Sequence, residues 1–222
     1  MKKISFKRCL VCVLLIGCMW AVTACGSAAN PKIHGAAEAV DSWEASLQYL
    51  VEGNKRFVED NGIIRNTNKT DRDVLKDGQK PFAVIVTCAD SRVAPEIYFD
   101  QKLGDIFVIR NAGNIADASV LGSIEYAVEH LHSPLVVVVG HSKCGAVTGA
   151  LSSEGHFPHD LQTIINTITS NIDGSSDLDV AINNNVNSTV ERIKENHTVQ
   201  EVNAKVIGAL YNIVSGEVTF FM

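Results

Sequence analysis

The sequence predicts an α/β fold, a mainly parallel β-sheet flanked by helices, in one domain. Three observations carry this. The runs "PFAVIVTC" (81–88), "DIFVIRNAG" (105–113) and "PLVVVVGHS" (134–142) are apolar and β-branched almost throughout. Strands covered on both faces lack the alternation of half-exposed ones, and that pattern belongs to parallel sheets packed between helices. Between the second and third runs, Val120, Leu121, Ile124, Val128 and Leu131 share one helical face, which makes a β-α-β unit. Finally, 222 residues with 46% hydrophobic content suit one domain with a sizeable core.

The elements follow in order. Residues 1–24 read as a signal peptide: Lys2, Lys3, Lys7 and Arg8 precede a short apolar run and a small-residue stretch. That run is short for a membrane-spanning helix. Its end, Val22-Thr23-Ala24-Cys25-Gly26, resembles the bacterial lipoprotein box, which implies a lipid on Cys25 and an exported protein anchored to the cell membrane. Residues 25–40 are then the lipidated cysteine and a small, polar, flexible tether, and the domain occupies 41–222. It opens with a helix whose stripe is Leu47, Leu50, Val51, Phe57 and Val58, with Asp41 and Glu44 as a capping pair and Gly53 as a weak point. After the third strand, "CGAVTGALSS" starts a small-residue helix. Leu161, Ile164, Ile165 and Ile168 mark another over 160–172, inside an otherwise irregular stretch from 152 to 189. The run "VERIKENHTVQEVNAKVIGALYNIV" reads as helix broken near Asn196 to Thr198, and "GEVTFFM" as an edge strand.

Charge and cysteine usage narrow the function. The 25 acidic residues outnumber the 19 basic ones, and removal of the leader takes the formal charge from −6 to −10. Such a surface offers no footprint for nucleic acid or for anionic lipid headgroups, so attachment to a membrane falls to Cys25 alone. Of the six cysteines, three lie in the leader, Cys25 is the lipid candidate, and Cys88 and Cys144 remain in the domain. In an oxidising compartment two remaining cysteines also fit a single disulfide.

The chemistry concentrates at strand ends. "TCADSRV" places Cys88, Asp90 and Arg92 at alternate positions, and "GHSKCGA" places His141 and Cys144 three apart on a turn, with Gly140 and Gly145 permitting an unusual backbone. Parallel sheets bind ligands beyond the carboxyl ends of their strands, so Cys88 and His141 fall where one site forms. Two thiolates and an imidazole make a Cys₂His set, the kind that leaves a fourth tetrahedral position open in catalytic zinc. The alternatives are a metal used as a prop, a disulfide, and an ordinary ion pair between Asp90 and Arg92. A phosphate loop fails, because Ala146 and Val147 stand where the lysine and hydroxyl residues belong.

The runs "CADSRV", "IRNAGN", "SVLGSIEYAVEHL" and "GHSKCGAV" closely resemble the β-class carbonic anhydrases, from about Gln48 to the closing strand. The resemblance implies one zinc per chain on Cys88, His141 and Cys144, with Asp90 and Arg92 as a catalytic dyad. Zinc hydroxide would attack CO₂ to give bicarbonate, oriented by that dyad. It also implies a homodimer or larger homo-oligomer, and in some members a closed state in which the aspartate, here Asp90, takes the fourth zinc position. CS₂ or COS would suit the same ligand set as substrates.

Overall fold

The computed structural model describes residues 39–63, 68–152 and 156–221. The expected signal peptide, Cys25 and nearly all of the tether lie outside the described residues. Among the described residues no helix is long and apolar enough to cross a membrane.

Five strands form one sheet in the order β2-β1-β3-β4-β5. They are β1 (Ala83–Cys88), β2 (Ile106–Asn111), β3 (Leu135–His141), β4 (Lys205–Tyr211) and β5 (Val218–Phe221). The first four run parallel, and β5 closes one edge antiparallel to β4. Every residue of β1 and β3 is buried, which is why these two runs read as unbroken apolar stretches.

Helices cover both faces. On one, Ile85, Val137, Val139 and Ile207 pack against Leu50 of α1 (Trp43–Val58) and against Tyr98 and Phe99 at the end of α3 (Pro95–Tyr98). α2 (Lys69–Leu75) buries no residue. On the other face, Val84, Val86, Val136 and Val138 meet Val120 and Ile124 of α4 (Ala118–Glu125) and Val186, Val190 and Ile193 of α7 (Leu178–Lys194). Between them in sequence come α5 (Gly145–Leu151) and α6 (His159–Asn171), followed after α7 by the short α8 (His197–Glu201). The chain leaves β1 for β2 on one side and then crosses to β3 on the other. The strand order therefore reverses at β1, and the crevice beyond β1 and β3 is the place where such sheets bind ligands.

Several expectations are corrected. Residues 205–211, expected to be helical, form β4, paired along its whole length with β3. The stretch 152–189 is mostly helical, through α6 and the first two-thirds of α7. Ser42, not the Asp41 and Glu44 pair, caps α1, its hydroxyl accepting from the Ala45 N–H at 3.2 Å. Val51 and Val58 lie outside the buried stripe, which instead runs through Ser46, Leu50, Gly53 and Asn54. Gly53 is a requirement and not a weak point: a Cβ there would lie 1.8 Å from the Phe99 carbonyl oxygen, a backbone atom that cannot step aside.

Candidate metal centre

Two strand ends and one loop build the site. β1 delivers Cys88 and β3 delivers His141, brought together by the pairing of Thr87 with Val139, one residue before Cys88 and two before His141. Beyond His141 the chain turns at once. Lys143 takes the left-handed conformation (φ 58°), and Cys144 then opens α5. The turn is pinned to the end of β4 by the Ser142 N–H donating to the Tyr211 carbonyl (3.0 Å) and by the Ile213 N–H donating to the Ser142 hydroxyl (3.0 Å). Gly140 and Gly145 do not have the unusual backbone the sequence suggested. Gly140 is needed for packing, since a Cβ there would lie 2.5 Å from Val186 Cγ2.

The result is a buried cluster. A ring nitrogen of His141 and the Sγ atoms of Cys88 and Cys144 all lie within 4.8 Å of one another. Both cysteines are free, so the disulfide is not formed. His141 is fully buried. Its Nδ1 lies 3.0 Å from the Ser142 carbonyl, which only accepts, so Nδ1 carries the proton and Nε2 keeps its lone pair. Nε2 has no hydrogen-bond partner. A buried acceptor left unpaired beside two thiols is what a metal ligand looks like without its ion, and the N, S, S set suits zinc. Without an ion the thiols share a proton unequally. The hydrogen bond from Cys144 lowers Cys88, while the Cys88 sulfur beside it and burial push Cys144 up. As ligands of a cation, Cys88 and Cys144 would both be thiolates.

Asp90 and Arg92 lie beside the cluster on the loop leaving β1. Asp90 Oδ1 accepts from the Arg92 Nε (2.9 Å) and from its backbone N–H (3.0 Å), and Oδ2 accepts from Nη2 at 2.6 Å. These bonds hold the Asp90 carboxyl well below the usual carboxylate range, and the pairing raises Arg92. Asp90 therefore faces Arg92 and is not among the clustered ligand atoms.

Sequence reasoning about individual residues passed over four groups that fix this geometry. Arg110 clamps the dyad loop, donating from Nε to the Cys88 carbonyl (3.2 Å) and from Nη2 to the Asp90 carbonyl (2.7 Å). Asn111 closes the following turn by bonding both the N–H and the carbonyl of Ile115. The Gly113 N–H donates to Cys88 Sγ at 3.4 Å, and Asn185 of α7 donates to the Gly113 carbonyl at 2.8 Å. The first three sit in "IRNAGN", where an arginine and two amides follow an apolar strand and had to find partners. Asn185 carries no local signal, because its partner lies 72 residues away.

With this geometry in hand, comparison with known proteins is direct. A family model described as carbonic anhydrase matches residues 83–218. Carbonic anhydrase 2 of Mycobacterium tuberculosis is 53% identical over 121 residues, which cover 54% of this chain and 56% of that protein. This chain thus spans little more than half of that relative's length. The carbonic anhydrase of Mycolicibacterium smegmatis is 40% identical over 192 residues, covering 81% of this chain and 91% of the relative. Among solved structures, a tetrameric β-carbonic anhydrase of Sordaria macrospora superposes with a TM-score of 0.63 at 27% identity, over 80% of this chain and 97% of its own. A Coccomyxa β-carbonic anhydrase in complex with acetazolamide gives 0.64 at 26% identity, over 78% and 84%.

Proposed function

The chain belongs to the β-class carbonic anhydrases, and from that membership we propose that it interconverts CO₂ and bicarbonate with zinc held by Cys88, His141 and Cys144. The observation that carries this is the meeting of three buried donor atoms with an ion-paired carboxylate at the ends of two adjacent strands. Zinc in such a site supplies a water whose pKa lies close to neutrality, the nucleophile that CO₂ hydration needs.

The protein's own groups do the rest. Two thiolates balance the ion's double charge, so the pocket presents little net charge to an uncharged substrate. Asp90, kept ionised by Arg92, accepts a hydrogen bond from the attacking water and so turns the oxygen lone pair toward carbon. The three bonds from Arg92 also hold this carboxylate toward the guanidinium, so that it would stay off a metal held by the cluster. This is the open arrangement, and the closed one requires those bonds to break.

The test measures CO₂ hydration and zinc content together. The mature domain is expected to bind about one zinc and lose activity on chelation. Cys88→Ser, His141→Ala and Cys144→Ser are each expected to lower occupancy strongly. Full occupancy in these variants refutes the ligand assignment, and undiminished hydration by zinc-free protein refutes the reaction.

Assembly and location belong to the same proposal. A homo-oligomer is supported by the tetrameric Sordaria relative and by the apolar, half-buried edge strand β2, which among the described residues has a paired strand on one side only. Light scattering that gives one chain per particle refutes it. Export and a lipid on Cys25 are supported by the leader sequence, and Cys25→Ser is expected to release the protein from the membrane fraction or block its processing.

A further inference from the structure

The α6–α7 pair has no part in the proposed ligand set, yet it reaches one ligand through a continuous chain of hydrogen bonds. Asn171, the last residue of α6, donates from Nδ2 to Asn185 Oδ1 at 2.9 Å. Asn185 is buried in α7 and donates in turn to the Gly113 carbonyl at 2.8 Å. Gly113 then donates its own N–H to Cys88 Sγ at 3.4 Å. The carbonyl and the N–H lie on the two peptide planes that meet at the Gly113 Cα, where φ is 73°.

A glycine at positive φ swings easily, because no Cβ limits it. Here a Cβ is also excluded from outside, since it would lie 2.5 Å from Ile168 Cδ1 of α6. What fixes the aim of the Gly113 N–H is therefore the grip on the next carbonyl. An N–H aimed at a thiolate draws electron density from sulfur, and neighbours of this kind set a ligand's orientation and donor strength.

We propose that Asn185, braced by Asn171, is a positioning residue that sets the donor strength of Cys88 by locking Gly113. This rests on the reading of Cys88 as a zinc ligand. Its consequence is that α6 and α7, whose Ile168 and Ile182 pack in one apolar cluster with Cys88 and Cys144, also tune the metal centre through hydrogen bonds.

The experiment uses cobalt(II) in place of zinc and reads the thiolate-to-cobalt charge-transfer absorption, together with zinc affinity by chelator competition. Asn185→Leu removes the grip at similar volume. The Gly113 N–H then loses its aim, the sulfur becomes more electron-rich, and the charge-transfer band moves to longer wavelength. Zinc affinity is nevertheless expected to fall by about 10- to 100-fold, because the freed Gly113 loop no longer holds the Cys88 sulfur in its ligand position, and this loss of orientation outweighs the gain in donor strength. Asn171→Leu, at a half-buried and more tolerant position, is expected to move the band the same way by less. Cys88→Ser separates the two readings, since it must remove a thiolate band. If Cys88→Ser leaves the spectrum unchanged, the ligand assignment itself fails. If Cys88→Ser changes it while the folded asparagine variants keep the wild-type band, the ligand assignment stands and the positioning role is refuted. Should Asn185→Leu fail to fold, Asn171→Leu decides alone, and a wild-type band there overturns the proposal.

Discussion

Gly140→Ala adds one methyl group where Val186 of α7 packs on the end of β3. The new Cβ would stand 2.5 Å from Val186 Cγ2, 3.2 Å from Leu210 Cδ2 and 3.3 Å from Ile182 Cγ2. Carbon atoms sit comfortably at about 3.5–4.0 Å, so the first contact is short by roughly 1 Å or more. Val186 is fully buried. A valine in a helix has essentially one rotamer, so it cannot turn away. Either α7 or the last residues of β3 must move, and overpacking of this kind costs about 1–3 kcal/mol. Val186→Ala alone removes two buried methyl groups and leaves a small cavity, costing about 2–3 kcal/mol. Together the two changes fit each other, because the methyl lost on the helix vacates the space the new one needs. The double variant is therefore expected to be more stable than the sum of the singles by about 2 kcal/mol. Denaturant unfolding of zinc-loaded protein at one fixed concentration measures this, because bound metal and assembly both shift apparent stability. Zinc affinity is expected to fall in Gly140→Ala, since the next residue is His141, and to recover in the double variant. Additive free energies, within about 0.5 kcal/mol, would refute the packing argument.

Arg92→Ala is expected to keep about one zinc per chain yet lose about 10²-fold or more of CO₂ hydration near neutrality, because Asp90 keeps only the backbone bond that aims it; loss of zinc, or a wild-type rate, contradicts this. Arg92→Lys is expected to fall short of wild type, since a point charge cannot reproduce the two-bond fork. The Asp90 carboxyl is held low in the folded protein, so its stabilising pair is fully present above the unfolded value of about 3.9 and is lost as pH falls through the folded value below it. The stability gap between wild type and Asp90→Asn should accordingly shrink on acidification, and a gap that widens below pH ~4 reverses the sign of the argument. Asn54→Ala strips partners from the carbonyls of Tyr98 and Gly216 and from the N–H of Val218, all buried, and is expected to cost about 3 kcal/mol or more in unfolding experiments.

The parts of this molecule legible in its sequence are those where one local pattern admits one structure. β1 and β3 are buried on both faces and announce it, and each ends in one of the clustered donor side chains. β4 did not announce itself. "KVIGALY" mixes Ala, Leu and Lys, good helix formers, with a glycine that a strand has no reason to prefer until the Phe221 ring is seen packing on it, 2.4 Å from where a Cβ would stand. The better signal was Asn203, which turns the chain at φ 54° directly after α8. Gly53 and Gly140 were misread for one reason: a glycine demanded by a neighbour's backbone or side chain looks, in sequence, like any other. Asn185 shows the same limit at the site, since an amide inside a helix gives no hint of the loop it grips.

The cluster also joins parts of the chain that are far apart, with Cys88 more than fifty residues before His141 and Cys144. A zinc ion held by all three would be a cross-link between β1 and β3, closing a long loop in the unfolded chain. Cross-links over such spans contribute on the order of 4 kcal/mol by restricting the denatured ensemble. The four backbone pairings between those strands, from Val84 with Val136 to Thr87 with Val139, keep the ends together when the ion leaves. If the proposed zinc is bound, chelation is expected to yield a folded but softened chain that unfolds at lower denaturant and regains CO₂ hydration when zinc is restored. Once that softened chain opens, its ligands scatter, and zinc must wait for the sheet to reform before it can bind.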